Sequence, residues 1–173
     1  MSNSKCLIAY YSRAGNNYVG GAIVNLPVGN TEVAAHIIQQ LTDAALFKIE
    51  TVKQYPADYY ETTEVSKKEL RQNFRPELSV HVDISEYEVI YLGYPNWWGT
   101  MPLAVFSFLE EYDFSGKTIV PFCTHEGSGL GRSESDIRRL CPAATVSRGL
   151  AIVGGSVRSA EEPIRKWLGL QCR

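Results

Sequence analysis

At 173 residues the chain has the size of one domain, with enough core to fold without disulfides or a structural metal, and 1–173 is expected to form a single domain. Its 17 Lys and Arg nearly balance 19 Asp and Glu, which argues against the broad basic surface of a nucleic-acid binder and against charge-driven attraction to a membrane. The four cysteines lack CxxC spacing, no apolar run approaches the ~20 residues that span a bilayer, and the first residues carry no export signal. A soluble cytoplasmic protein with reduced thiols is expected.

Five short apolar runs, 6–11, 45–49, 89–94, 118–123 and 145–153, suit strands buried on both faces, as in parallel sheets. Between the first two, Val33, Ala34, Ile37, Ile38 and Leu41 form one apolar stripe. That stripe predicts a helix capped by Asn30 or Thr31, with Glu32 in its first turn at the positive end of the dipole. The segment 17–28 interrupts this crossing and is expected to form a flap or small hairpin. A long polar connection, 51–82, carries a helix at 66–73. Leu103, Phe106 and Leu109 mark a helix introduced by Pro102, 133–140 another, and 160–168 a last one with Pro163 near its start. Strand and helix alternate throughout, which predicts a doubly wound α/β sheet with its ligand outside the carboxyl ends of the strands.

Three loops at those ends carry the chemistry. The first strand runs into Ser12, Arg13, Ala14 and Gly15, and the first helix opens with Asn30 and Thr31. Hydroxyls, a glycine and free amides that feed a helix N-terminus suit a phosphate, although an ordinary capped turn uses the same residues. After the third strand, Pro95, Asn96, Trp97, Trp98 and Gly99 place two adjacent indoles in a loop, one expected to cover the core edge and one to stack on a flat conjugated ring. After the fourth come Thr124, His125, Glu126, Gly127, Ser128 and Gly129, whose glycines permit close backbone approach to a ligand. His125 lacks partners for a metal site, so no metal is expected.

The run Ser-Arg-Ala-Gly-Asn with a later Asn-Thr, the Pro-x-Trp-Trp-Gly after the third strand and the Thr-His-x-Gly-Ser-Gly after the fourth together resemble the flavodoxin-like family of small FMN-binding proteins. Gly15-Asn16-Asn17 and Gly29-Asn30-Thr31 are near copies 14 positions apart, as if an insert had split the phosphate loop. The resemblance implies a flavodoxin-like doubly wound five-stranded parallel sheet of order 2-1-3-4-5. It also implies FMN held without covalent attachment: the phosphate at the first loop with Arg13 as charge partner, the ring against the Trp loop, and the pyrimidine edge at residues 124–129. His125 is then the candidate donor or cation at the flavin N1/O2 edge, set against a plain loop hydrogen bond. Two functions remain open. One is a reductase that takes electrons from NADH or NADPH and passes them to a quinone, flavin or similar acceptor; the other is a one-electron carrier that docks on redox partner proteins. The near-neutral charge and the absence of an aromatic residue from the fourth-strand loop favour the reductase. Aromatics of the long connection, Tyr55, Tyr59, Tyr60 and Phe74, are the ones able to cover the open face. The sequence leaves the oligomeric state open.

Overall fold

A computed structural model describes residues 5–171; Cys172 lies outside them. The central sheet is parallel and begins with β1 (Cys6–Tyr10), which pairs with β4 (Ala45–Lys48) on one side and β5 (Val89–Pro95) on the other. β6 (Thr118–His125) follows β5, and both β7 (Thr145–Val146) and β8 (Leu150–Val153) pair with β6. Strand order is therefore the expected 2-1-3-4-5, with the fifth position shared by two short strands instead of one run over 145–153. The split falls opposite Pro121. Ile119 pairs with Val146, but Phe122 pairs with Leu150, so the outer strand carries one extra residue where β6 has no N–H to offer the ladder.

Alternating side chains fill two cores. Leu7, Ala9, Ile90, Leu92, Ile119 and Cys123 face α3 (Leu103–Glu111) and α4 (Ser133–Leu140). Ile8, Tyr10, Tyr91, Val120 and Phe122 face α1 (Asn30–Thr42) and α5 (Glu161–Gln171). Pro102 occupies the position before α3, as its missing N–H predicts, and six of the nine residues of that helix are buried. The fit is close enough that a Cβ on Gly93 would come within 2.2 Å of the Phe122 ring. Cys123 and Cys141 are buried, and burial pushes their thiols up to about 12 and about 11. Neither forms the reactive thiolate near neutrality, so iodoacetamide at pH 8 is expected to leave both unmodified in the native chain and to label both after unfolding, as read by mass spectrometry.

Two local expectations change and a third is met. α1 is capped by Gly29 and not by Asn30 or Thr31, because Ser12 reaches across and its Oγ accepts the Glu32 amide at 3.1 Å. The helix of the long connection, α2 (Tyr59–Arg71), starts seven residues earlier than 66. Asp58 caps it by accepting from the Glu61 amide at 2.9 Å, a start signal legible as Asp-x-x-Glu. The insert is a two-stranded hairpin, β2 (Gly15–Val19) and β3 (Ala22–Leu26), turned by Gly20-Gly21 with φ of +61° and +90°. Positive φ at both positions makes the turn type I′, whose twist matches paired strands. No helix among the described residues is long and apolar enough to cross a membrane.

Candidate functional site

The carboxyl ends of β1, β5, β6 and β8 surround a cavity of about 370 Å³, a size in the range of small-molecule sites. One end is the first turn of α1, which brings Asn30 and Thr31 to the cavity wall beside Ser12. Gly29 makes this junction close: a Cβ there would lie 2.2 Å from Ser12 Oγ and 2.7 Å from the Arg13 carbonyl oxygen. The Thr31 and Thr124 hydroxyls are buried and hydrogen-bonded to each other at 2.7 Å, tying α1 to the end of β6.

The opposite wall is the turn 97–100. The Trp97 amide donates to the Thr100 carbonyl (2.8 Å) and the Thr100 amide returns a bond to Trp97 (3.3 Å), with Trp98 at φ +59° and Gly99 at +85° between them. This too has the form of a type I′ turn, but its first central position, normally Asn, Asp or Gly, holds a tryptophan. A bulky side chain there costs about 1–2 kcal/mol, strain of the kind that collects at functional sites. Trp98 is 46% exposed at the tip, its Nε1 donating to the Thr63 carbonyl and to Ser66 Oγ (3.2 and 3.0 Å) on α2. Trp97 faces the other way, edge-on to Tyr11 and Tyr55 with ring centroids 5.4 and 5.2 Å away. One indole thus covers the core edge, and both line the cavity.

Asn96 braces the two ring-side loops. Its amide donates to the Thr124 carbonyl at 2.9 Å, its Nδ2 to the Gly129 carbonyl at 2.8 Å, and its Oδ1 accepts from the Gly99 amide at 3.0 Å. Behind them, the buried Thr100 hydroxyl donates to Asp136 at 2.6 Å, and the Arg132 amide donates to the Gly99 carbonyl at 2.8 Å. The turn is therefore held before any ligand arrives.

Ser12, Arg13, Asn30, Thr31, residues 95–99 and 124–126, and Ser128 line the cavity. Ala14 and Gly15 line instead a neighbouring hollow of about 520 Å³ behind the same loop, while Gly127 and Gly129 are outside the lining. The Arg13 guanidinium donates to the backbone carbonyls of Asn16, Pro56 and Ala57, so it fastens the hairpin to the long connection instead of pointing free at a phosphate. His125 Nδ1 accepts from the Gly127 amide at 2.9 Å, which places the ring proton on Nε2. That bond is the loop hydrogen bond set against the flavin-edge role, and it leaves Nε2 as the ring's donor nitrogen. No group of His, Cys, Asp and Glu among the described residues is arranged to hold a metal.

Three lining residues were not singled out from sequence, Asn17, Tyr18 and Gly154, and Tyr59 joins them as one of the aromatics expected over the open face. Gly154 follows β8, so the rule that ligands sit at strand ends already pointed to it. Tyr18 comes from the hairpin and stacks on Tyr59 of α2, with centroids 6.1 Å apart. Of the aromatics available to cover the open face, Tyr59 is therefore in place, whereas Tyr55 packs on Trp97 and Phe74 is 50% exposed outside the lining. A side cavity of about 190 Å³ opens between Trp98 and α2, adding Thr62, Thr63 and Ser66 to the walls.

A parallel α/β sheet of order 2-1-3-4-5 with a ligand cavity where the strand order reverses defines a doubly wound ligand-binding protein. The family model for Flavodoxin matches residues 5–170, and the chain belongs to that family. Its structure is similar to crystal structures described as flavoproteins from Bacteroides eggerthii and Bacteroides uniformis. The first is 28% identical, covers 97% of this chain and 98% of its own, and has a TM-score of 0.79; the second is 27% identical, covers 95% and 99%, and has a TM-score of 0.74. A flavoprotein from Lactobacillus acidophilus in complex with FMN shares the fold at a TM-score of 0.68 and 22% identity, covering 90% of this chain and 97% of that one. No protein with a curated description matches the chain.

Proposed function

We propose that the chain binds FMN in the 370 Å³ cavity and works as a reductase that passes electrons from a reduced nicotinamide to a small acceptor. The observation that carries the cofactor is the pairing of an anion-suited end, the first turn of α1, with an aromatic end on a pre-braced turn. Gly29 keeps the first end clear, since any Cβ there would push Ser12 out of place. The α1 amides and Ser12 hold the phosphate, and Trp98 and Trp97 wall the ring. The lining residues of the loop after β6, 124–126 and Ser128, together with His125 Nε2–H, would face the pyrimidine edge, where a hydrogen-bond donor stabilises negative charge. When bound, the flavin supplies hydride and single-electron transfer chemistry, and the protein orients it.

The side cavity beside Trp98 supports the reductase, because it leaves room for a second small molecule next to the cofactor. The formal charge of −2 also lacks the strongly acidic field suited to docking on redox partners. Tyr18 and Tyr59 favour the carrier reading instead, because they supply the aromatic cover missing from the fourth-strand loop.

Titrating the purified chain with FMN should quench flavin fluorescence at a one-to-one ratio, and no quenching would remove the cofactor. Anaerobic stopped-flow mixing of the loaded protein with NADH or NADPH should bleach the flavin band within seconds. A band that persists for many minutes with both donors would favour the carrier.

A further inference from the structure

The Glu126 carboxylate lies between the hairpin tip and the first residue of α1. On one side its Oε2 accepts the Gly20 amide, at the tip of the hairpin, at 3.1 Å. On the other, its Oε1 and the Nδ2 of Asn30 each lie 2.5 Å from the point a Cβ on Gly154 would occupy. Asn30 is the first residue of α1, so a negative side chain already sits beside the helix end that the reading above assigns to the cofactor's phosphate. Among the described residues Glu126 forms no ion pair, and none of the lining residues but Arg13 carries a fixed positive charge. Arg13 is committed to three backbone carbonyls.

The rest of the hairpin is tied along β2, from its base up to Tyr18, one pair from the end of the ladder. Asn16 Oδ1 accepts the Tyr59 amide at 2.7 Å, Asn17 Nδ2 donates to the Arg13 and Gly15 carbonyls at 2.9 and 3.1 Å, and Tyr18 stacks on Tyr59. The tip is held differently. Its hydrogen bond depends on an acid whose position a bound anion would contest.

Resting on the FMN reading, we propose that Glu126 is a specificity-determining residue that senses the cofactor's phosphate: the phosphate displaces the carboxylate from the end of α1, which releases the Gly20 amide and frees the hairpin tip. A phosphate monoester carries about −1.5 to −2 at neutral pH against −1 for the carboxylate, so it competes more strongly for the helix end, and like charges there repel. Riboflavin, which has no phosphate, leaves Glu126 and the hairpin in place. The displacement opposes FMN binding, and it leaves the bound cofactor under a loosened hairpin from which it exchanges more freely.

The test compares the parent chain with Glu126→Gln, whose amide oxygen still accepts from Gly20 but carries no charge. Affinities for FMN and riboflavin come from fluorescence quenching, and hairpin closure from the hydrogen exchange of the Gly20 amide by NMR. In the parent, FMN should speed Gly20 exchange and riboflavin should not. In Glu126→Gln, FMN affinity should rise roughly tenfold, riboflavin affinity should stay within about twofold, and FMN should no longer alter Gly20 exchange. FMN binding that slows the Gly20 amide in the parent overturns the proposal, as does a variant that shifts both affinities equally; in either case the FMN reading survives. Failure of FMN to bind either protein overturns both together.

Discussion

Gly29→Ala is expected to weaken FMN binding by at least about 100-fold and to lower stability by ~2–3 kcal/mol. Backbone conformation is not the cause, because Gly29 has φ −64°, which alanine adopts freely. The added methyl would fall 2.2 Å from Ser12 Oγ and 2.7 Å from the Arg13 carbonyl oxygen, and one of them is rigid backbone. Ser12 would have to leave, freeing the Glu32 amide and opening the loop that forms the anion end of the cavity. Urea unfolding reads the stability change and flavin fluorescence the affinity. Gly169→Ala in α5 is the matched control, since a Cβ there meets nothing within 4 Å; it should gain ~0.5–1 kcal/mol and bind FMN like the parent. A Gly29→Ala protein that binds FMN normally would place the phosphate somewhere other than the first turn of α1.

Trp98→Asn is expected to separate stability from binding. Asparagine suits the first central position of a type I′ turn, so the substitution relieves about 1 kcal/mol of backbone strain while losing the indole's bonds to Thr63 and Ser66. Net stability should stay within ~1 kcal/mol of the parent. FMN affinity should fall roughly ten- to thirtyfold, the loss of about 1–2 kcal/mol of ring stacking. Trp97→Ala, by contrast, should destabilise the fold by ~3 kcal/mol, because that indole fills the space between Tyr11 and Tyr55. Unchanged affinity in Trp98→Asn would remove the exposed indole from the ring wall and leave its strain without a functional reason.

The apolar runs revealed the sheet because a parallel strand buried on both faces needs a continuous hydrophobic stretch, which composition displays directly. The same signal hid the break in the outer strand opposite Pro121. The outer edge of the sheet lost one strand to two, and that depends on how β6 is paired on each side. The start of α2 was legible in Asp58 and Glu61, but a polar helix with only Thr62 and Ser66 buried gives a weak stripe to read. At the site, the tandem tryptophans announced an aromatic wall. Which indole belongs to the core followed only from the reversal of direction between adjacent residues in a tight turn.

By itself the sequence determined the doubly wound fold, the three strand-end loops and their chemical types, since each follows from local pattern and from residues that suit only a few roles. Tertiary structure decided the contacts within those loops: Ser12 Oγ as the acceptor for the Glu32 amide, Arg13 as a brace, His125 Nδ1 as the acceptor for the Gly127 amide, and Glu126 as the acceptor for the Gly20 amide. It also brought Tyr18, Tyr59 and Gly154 to the cavity from three separate segments. The reason is physical. Strand and helix formation are encoded over a few neighbouring residues, whereas the partner of a polar side chain is set by what the folded backbone brings into hydrogen-bond reach, across as many as 106 positions of chain for Gly20 and Glu126.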